Sequence, residues 1–226
     1  DPVPTLDGRG VNGVSGRMYF GEHSLSIGDP KAGGLEIQYW LNLYALHHSL
    51  EGSIREGRDD SAYDNLYIVR LGRRTELFCA RVCNPDPVLS AEEDTGSTLQ
   101  FDQAADRFTY TMGDGSVAIY GRLVAPSSTS DPAYRILSLT RPSGERLGWA
   151  YEVIVDSQGV PRATLRSVTN NFGYQLRFEI NSQQKWQRVI ALNNTVERCS
   201  PSGDTCSTLS NDWPTLLIQR TAGQRS

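Results

Sequence analysis

Methionine is scarce in this chain, with two in 226 residues, and no stretch approaches the roughly 20 consecutive apolar residues that a bilayer-spanning helix requires. Sustained apolar periodicity of 3.6 residues is also missing, which argues against a helical bundle. Basic residues are not gathered into a stripe. The one dense group is Arg70, Arg73 and Arg74, around a Leu71-Gly72 turn, and the net charge is −4 with a pI near 5.4. That balance argues against a dedicated nucleic-acid binder, and the three arginines read as a solvated edge.

Catalytic and metal signatures are equally thin. A nucleophile elbow needs Gly-x-Ser-x-Gly, and the nearest segment, Gly13-Val14-Ser15-Gly16, lacks the spacing. Histidine occurs only at His23, His47 and His48, and no cysteine pair is a CxxC, so a zinc site lacks its ligand set. The adjacent His47 and His48 read as one packed and one solvated ring rather than as a general base. Asp59, Asp60, Glu92, Glu93 and Asp94 do not follow the alternating pattern that folds oxygens around calcium, and they read as solvated loops. No metal, cofactor or enzymatic activity is expected. No signal peptide is visible, and a chain opening on Asp1-Pro2 rather than Met reads as a mature or trimmed product.

Glycine and tyrosine are plentiful, at 21 and 10, and the glycines carry the main signal. Gly115, Gly144 and Gly173 stand 29 residues apart. Four residues before each lies a threonine (Thr111, Thr140, Thr169), and five before lies an apolar residue (Tyr110, Leu139, Val168). Three after comes Ala118, Leu147 or Leu176, and five after comes an aromatic: Tyr120, Trp149 or Phe178. Period-two alternation on both sides of a glycine predicts a β-hairpin, the glycine supplying the positive φ of a tight turn. A hairpin repeated at fixed spacing predicts units stacked side by side, each too small to bury its own apolar face.

Three phrases, Phe108 to Tyr120, Leu139 to Tyr151 and Ser167 to Phe178, resemble the tyrosine/aspartate (YD) repeats of bacterial Rhs proteins. The leader Gly10-Val-Asn-Gly-Val-Ser-Gly-Arg-Met-Tyr-Phe20, with Leu25 to Gly28 and Gly33-Gly-Leu35, resembles the segment that precedes such repeats. Cys199-Ser-Pro-Ser-Gly-Asp-Thr-Cys206, followed by Trp213-Pro214, is similar to a segment found within them. The resemblance implies a non-catalytic part of a secreted or cell-surface bacterial protein, whose repeats wind a β-shell around a toxin or other C-terminal cargo. Its partners would be the remainder of a longer Rhs-type polypeptide and the enclosed cargo. Strict Tyr-Asp pairs are scarce here, and 226 residues cannot build a complete shell.

The expected fold is therefore mainly β, made of consecutive antiparallel hairpins with little helix. Residues 1–97 read as a leader β region, with a short helix near 42–50, where Leu43, Leu46, His47 and Leu50 have helical spacing. Residues 98–226 read as the hairpin repeats with a cysteine loop at 199–206. Pro201 and Gly203 let that loop fold back, so Cys199 and Cys206 are a candidate disulfide. Cys79 and Cys83 pair only if the chain turns between them, because strand positions four apart are about 13 Å apart. Four cysteines allow three connectivities.

Tyr120, Trp149 and Phe178 permit two readings. Facing solvent, they would form an aromatic ladder for stacking surface glycans, and the chain would be an extracellular carbohydrate-binding module. Facing inward, they are core, which Leu147 and Leu176 on the same strand face favour.

Overall fold

Period-two alternation carries through to the tertiary structure, a computed structural model that describes residues 20–41, 46–57, 66–79, 88–124, 134–156, 158–180, 186–201, 209 and 212–218. Those residues form two antiparallel sheets. The only helical element among them is a 3-10 turn, Pro30–Ala32, held by the Asp29 carboxylate accepting from the Lys31 amide. The small sheet contains β1 (Phe20–Ile27), β2 (Leu35–Leu41) and β3 (Leu46–His48). The short helix expected near 42–50 is not what the described part forms. Residues 46–48 are strand, because Leu46, His47 and His48 continue the ladder of β2, opposite Leu41, Trp40 and Tyr39.

The large sheet begins with β4 (Gly52–Gly57), β5 (Leu66–Leu71) and β6 (Arg74–Cys79). Four more follow: β7 (Val88–Ser90), β8 (Thr98–Asp102), β9 (Arg107–Thr111) and β10 (Val117–Gly121). Then come β11 (Tyr134–Thr140), β12 (Arg146–Val155), β13 (Pro161–Asn170) and β14 (Tyr174–Ile180). Last are β15 (Trp186–Asn193) and β16 (Thr215–Leu217). From β7 to β16 each strand pairs with the next, an uninterrupted meander.

One departure from simple succession shapes the molecule. Past Gly148, β12 leaves β11, and β4 takes its place, pairing Ile54 with Tyr134 and Ser53 with Arg135. On the far side, β6 meets the β7 end through the Phe78–Ala91 bridge and a bond from the Glu92 amide to the Leu77 carbonyl, 3.0 Å. Strands β4 to β11 thus close on themselves as an eight-stranded barrel. An eight-stranded barrel is just wide enough for side chains to fill it. Ile54, Val69, Phe78, Leu99, Phe108, Tyr110, Tyr120, Tyr134 and Ile136 do so, all nearly or wholly buried. Gly52 is glycine because a Cβ there would lie 2.5 Å from the Ile136 methyl carbon. Residue 97, expected to divide leader from repeats, lies inside this barrel, just before β8.

Beyond the barrel the sheet continues as β12 to β16, covered on its inner face by the small sheet. Leu25, Leu35, Ile37 and Tyr39 join Leu165, Leu176, Phe178 and Val189 in the same core as the barrel residues. A polar clasp helps fix this layer: the Asn170 side-chain amide donates to the Gly33 carbonyl at 2.9 Å. A second, smaller apolar cluster of Ile190, Leu192 and Cys199 is covered by Leu209 and Trp213.

Candidate functional site

The three repeat glycines sit at equivalent turns. Gly115, Gly144 and Gly173 have φ of 84°, 84° and 89°. In the first, the Gly115 amide donates to the Met112 carbonyl at 2.9 Å, and the Met112 amide to the Ser116 carbonyl at 2.8 Å. The second repeats this with Gly144 to Arg141 and Arg141 to Glu145, each 2.9 Å. This is the three-residue hairpin loop with a left-handed glycine at its end. The turn expected from Asp156 to Gly159, between hairpins, has the same pair of bonds at Asp156, Gly159 and Val160, with Gly159 at φ 79°. It joins β12 to β13, the connection between two of the repeated hairpins, and so falls outside the 29-residue register.

Cross-strand register explains the recurring apolar positions. Tyr110 lies opposite Ala118, Leu139 opposite Leu147, and Val168 opposite Leu176. The aromatics two residues further on fall on the same face and point inward. Tyr120 and Phe178 are 0% exposed and Trp149 is 7% exposed. Tyr120 donates its hydroxyl to the Arg70 carbonyl at 3.1 Å, and the Trp149 indole donates to the Leu50 carbonyl at 2.9 Å. These three rings are therefore core and present no stacking face to a glycan, which corrects the solvent-facing ladder.

Cys199 is buried. Cys206 and Cys83 lie outside the described residues, and Cys79 is buried at the end of β6. Asp59 and Asp60 are likewise outside, whereas Glu92, Glu93 and Asp94 occupy the turn region between β7 and β8. His47 pairs through Nδ1 with Glu51 at 2.9 Å and stacks on Trp40, whose other neighbour is the Arg73 guanidinium 4.6 Å from the ring centroid. His48 is buried between the Tyr39 and Phe178 rings, at 5.8 and 5.9 Å. Burial pushes its pKa down to about 4, partly offset by the Glu51 charge and reinforced by His47.

Two polar clusters were not anticipated. Inside the barrel, Glu76 accepts from Arg74 Nε at 2.7 Å and from the Tyr110 hydroxyl at 2.8 Å. Ser97 lies 3.4 Å away, and Arg74 Nη2 closes on the same carboxylate. Burial pushes the Glu76 pKa up, but the bonds from Arg74, Tyr110 and Ser97 outweigh it, and the carboxyl stays below its usual range. Everything this carboxylate holds is internal, which makes it a brace between β6, β8 and β9.

The second cluster stands at one mouth of the barrel. Arg122 donates through Nε to Asp106 at 3.1 Å, approaches Glu56 at 3.5 Å, and lies 4.5 Å from the Tyr134 ring centroid. Tyr134 donates its hydroxyl to Asp106 at 2.9 Å. Beside them Phe101 packs on Phe108 at 4.6 Å and against Tyr134 at 6.2 Å, and Tyr67 packs on Phe108 at 5.0 Å. Phe101 is nevertheless 39% exposed. No periodic or motif signal could have joined these residues, because they come from five strands and two connecting segments and meet only when the barrel closes.

No protein-family model matches the chain, and no curated protein matches it in sequence.

Proposed function

We propose that this chain is a non-catalytic wall segment of a secreted Rhs/YD-repeat polypeptide, contributing to a β-shell that encloses a toxin or other C-terminal cargo. The observation that carries this reading is the repetition of one hairpin. Residues 107–121, 134–155 and 161–180 each pair across equivalent turns, and they stack in chain order within a single antiparallel meander. Such an array lengthens by adding hairpins without changing the ones already present, which is what a wound wall requires. The inward aromatics support a structural role for the repeats, since their burial and hydrogen bonds serve packing.

The test is the size of the natural polypeptide. An antibody raised against this segment should detect, in envelope or culture-medium fractions of the source cells, a protein several times larger than 25.0 kDa. A band near that mass would overturn the proposal and make the segment a self-sufficient module.

A further inference from the structure

Strands β1–β3 form a layer held to the large sheet by packing rather than by a ladder. Among the described residues, none of the three pairs with a strand of the large sheet, and the chain crosses from one sheet to the other once, through residues 49–51. That crossing is fixed on the large-sheet side. The Gly72 amide donates to the Glu51 carbonyl at 2.6 Å, and the Trp149 indole donates to the Leu50 carbonyl at 2.9 Å. The three strands can therefore move about the crossing as a unit, giving up apolar packing and the Asn170–Gly33 clasp but no rung of the large sheet.

Two polar groups lie in the seam beside this crossing. The Tyr39 hydroxyl is buried, and among the described residues it has no hydrogen-bond partner. His48, 3% exposed, sits between the Tyr39 and Phe178 rings. A buried hydroxyl without a partner is costly, and it regains one when water enters. A buried imidazole is kept from its charged form and takes up a proton when the seam opens. Both groups favour the open arrangement, the second only in acid.

We infer that β1–β3 form a cover hinged at residues 49–51 and released by acid, with His48 as the group whose protonation opens it. The elements packed against His48 present aromatic rings: Tyr39 from β2 and Phe178 from β14. The neighbours of Phe178 turn to the other face of β14, where Arg177 lies opposite Ile190 of the second apolar cluster and Glu179 holds Arg188. His47 projects from the opposite face of the small sheet, stacked on Trp40, and Arg73 lies over that same indole. Glu51 is the carboxylate whose charge reaches His48, and it is already engaged by His47. Opening uncovers Leu165, Leu176, Phe178 and Val189 on β13–β15 and leaves the barrel closed. The device does not depend on the shell-wall reading, since a wall segment and a free module would both carry it.

The experiment is hydrogen–deuterium exchange on the full 226-residue chain at pH 7 and pH 5, with rates corrected for the intrinsic effect of pH. A three-stranded sheet stripped of its packing is marginal, so its amides exchange when the cover opens. An imidazole with the ordinary pKa of 6.5 when open, and held down to about 4 by burial when closed, raises the opening equilibrium about twentyfold between those two pH values. Peptides from β1–β3 should gain exchange by about that factor, while β8–β11 of the barrel stay protected. His48→Phe keeps an apolar ring in the seam and cannot titrate, so it should abolish the gain; His48→Gln does the same if the larger ring does not fold. Equal gains in β1–β3 and β8–β11 overturn the inference, because the whole fold then responds. So does a gain that persists in the non-titrating variant, or its absence from the wild type.

Discussion

Acidification should loosen the docking of the small sheet, and His48 is the residue through which it acts. Its imidazole is 3% exposed, between Tyr39 of β2 and Phe178 of β14, with Glu51 and His47 the nearest titratable groups besides Tyr39. The folded-state pKa is held down to about 4 against an ordinary 6.5. Between those two values the unfolded chain binds a proton that the folded one refuses, so stability rises with pH across the window and falls as pH drops. With one pKa unit equal to about 1.4 kcal/mol, the full loss below pH 4 is about 3 kcal/mol, and about 2 kcal/mol of it is reached on going from pH 7 to pH 5. Urea unfolding of the wild type at half-unit steps from pH 4.5 to 7.5 measures the slope. Glu76, Asp114 and Asp156 also have lowered pKa values and contribute their own loss of stability as pH falls through the carboxylate range. The difference between wild type and His48→Phe isolates the histidine. The phenylalanine ring fits between Tyr39 and Phe178 and does not titrate, so that variant should lose the slope between pH 5 and 6.5. Equal slopes in the two proteins would refute the reasoning.

Four further substitutions probe the packing. Trp149→Ala removes a buried ring and its bond to the Leu50 carbonyl, and should lower stability by about 3–5 kcal/mol in urea unfolding; a loss under 1 kcal/mol would restore the surface-platform reading. Gly144→Ala places a Cβ in open space at φ 84°, so only the backbone penalty of about 1–2 kcal/mol is expected. Gly113→Ala sets its Cβ 2.2 Å from the Thr95 carbonyl oxygen and should be clearly more destabilising, an order that thermal melts of the two variants would check. Gln175 is wholly buried, and among the described residues neither of its amide atoms has a hydrogen-bond partner. Gln175→Leu should therefore stabilise the fold by about 1–3 kcal/mol, and a lower melting temperature in that variant would show that the amide is satisfied in solution.

Much of the local structure was legible in the residues themselves. Alternation of period two and the glycine spacing specify hairpins, because a strand's side chains fall on opposite faces in turn, and glycine reaches positive φ without a Cβ penalty. The helical reading of 42–50 failed at 46–48 for a related reason. A short apolar run fits both periods, and the neighbouring β2 ladder, a non-local partner, decided the matter. The mouth cluster left no trace in the sequence. Glu56, Phe101, Asp106, Arg122 and Tyr134 are separated by up to 78 positions and share no spacing rule.

Turn chemistry and the inward-facing row of each strand are therefore properties of the sequence alone, fixed by backbone sterics and side-chain alternation within a few residues. Which strands meet is not. The exchange of β12 for β4 beside Tyr134, the Phe78–Ala91 bridge that closes the barrel, and the packing of β1–β3 over β12–β16 are decided by burial of the whole apolar surface at once. That burial depends on contacts far apart in the chain, so only the folded protein sets the barrel mouth and the sealed interior behind it.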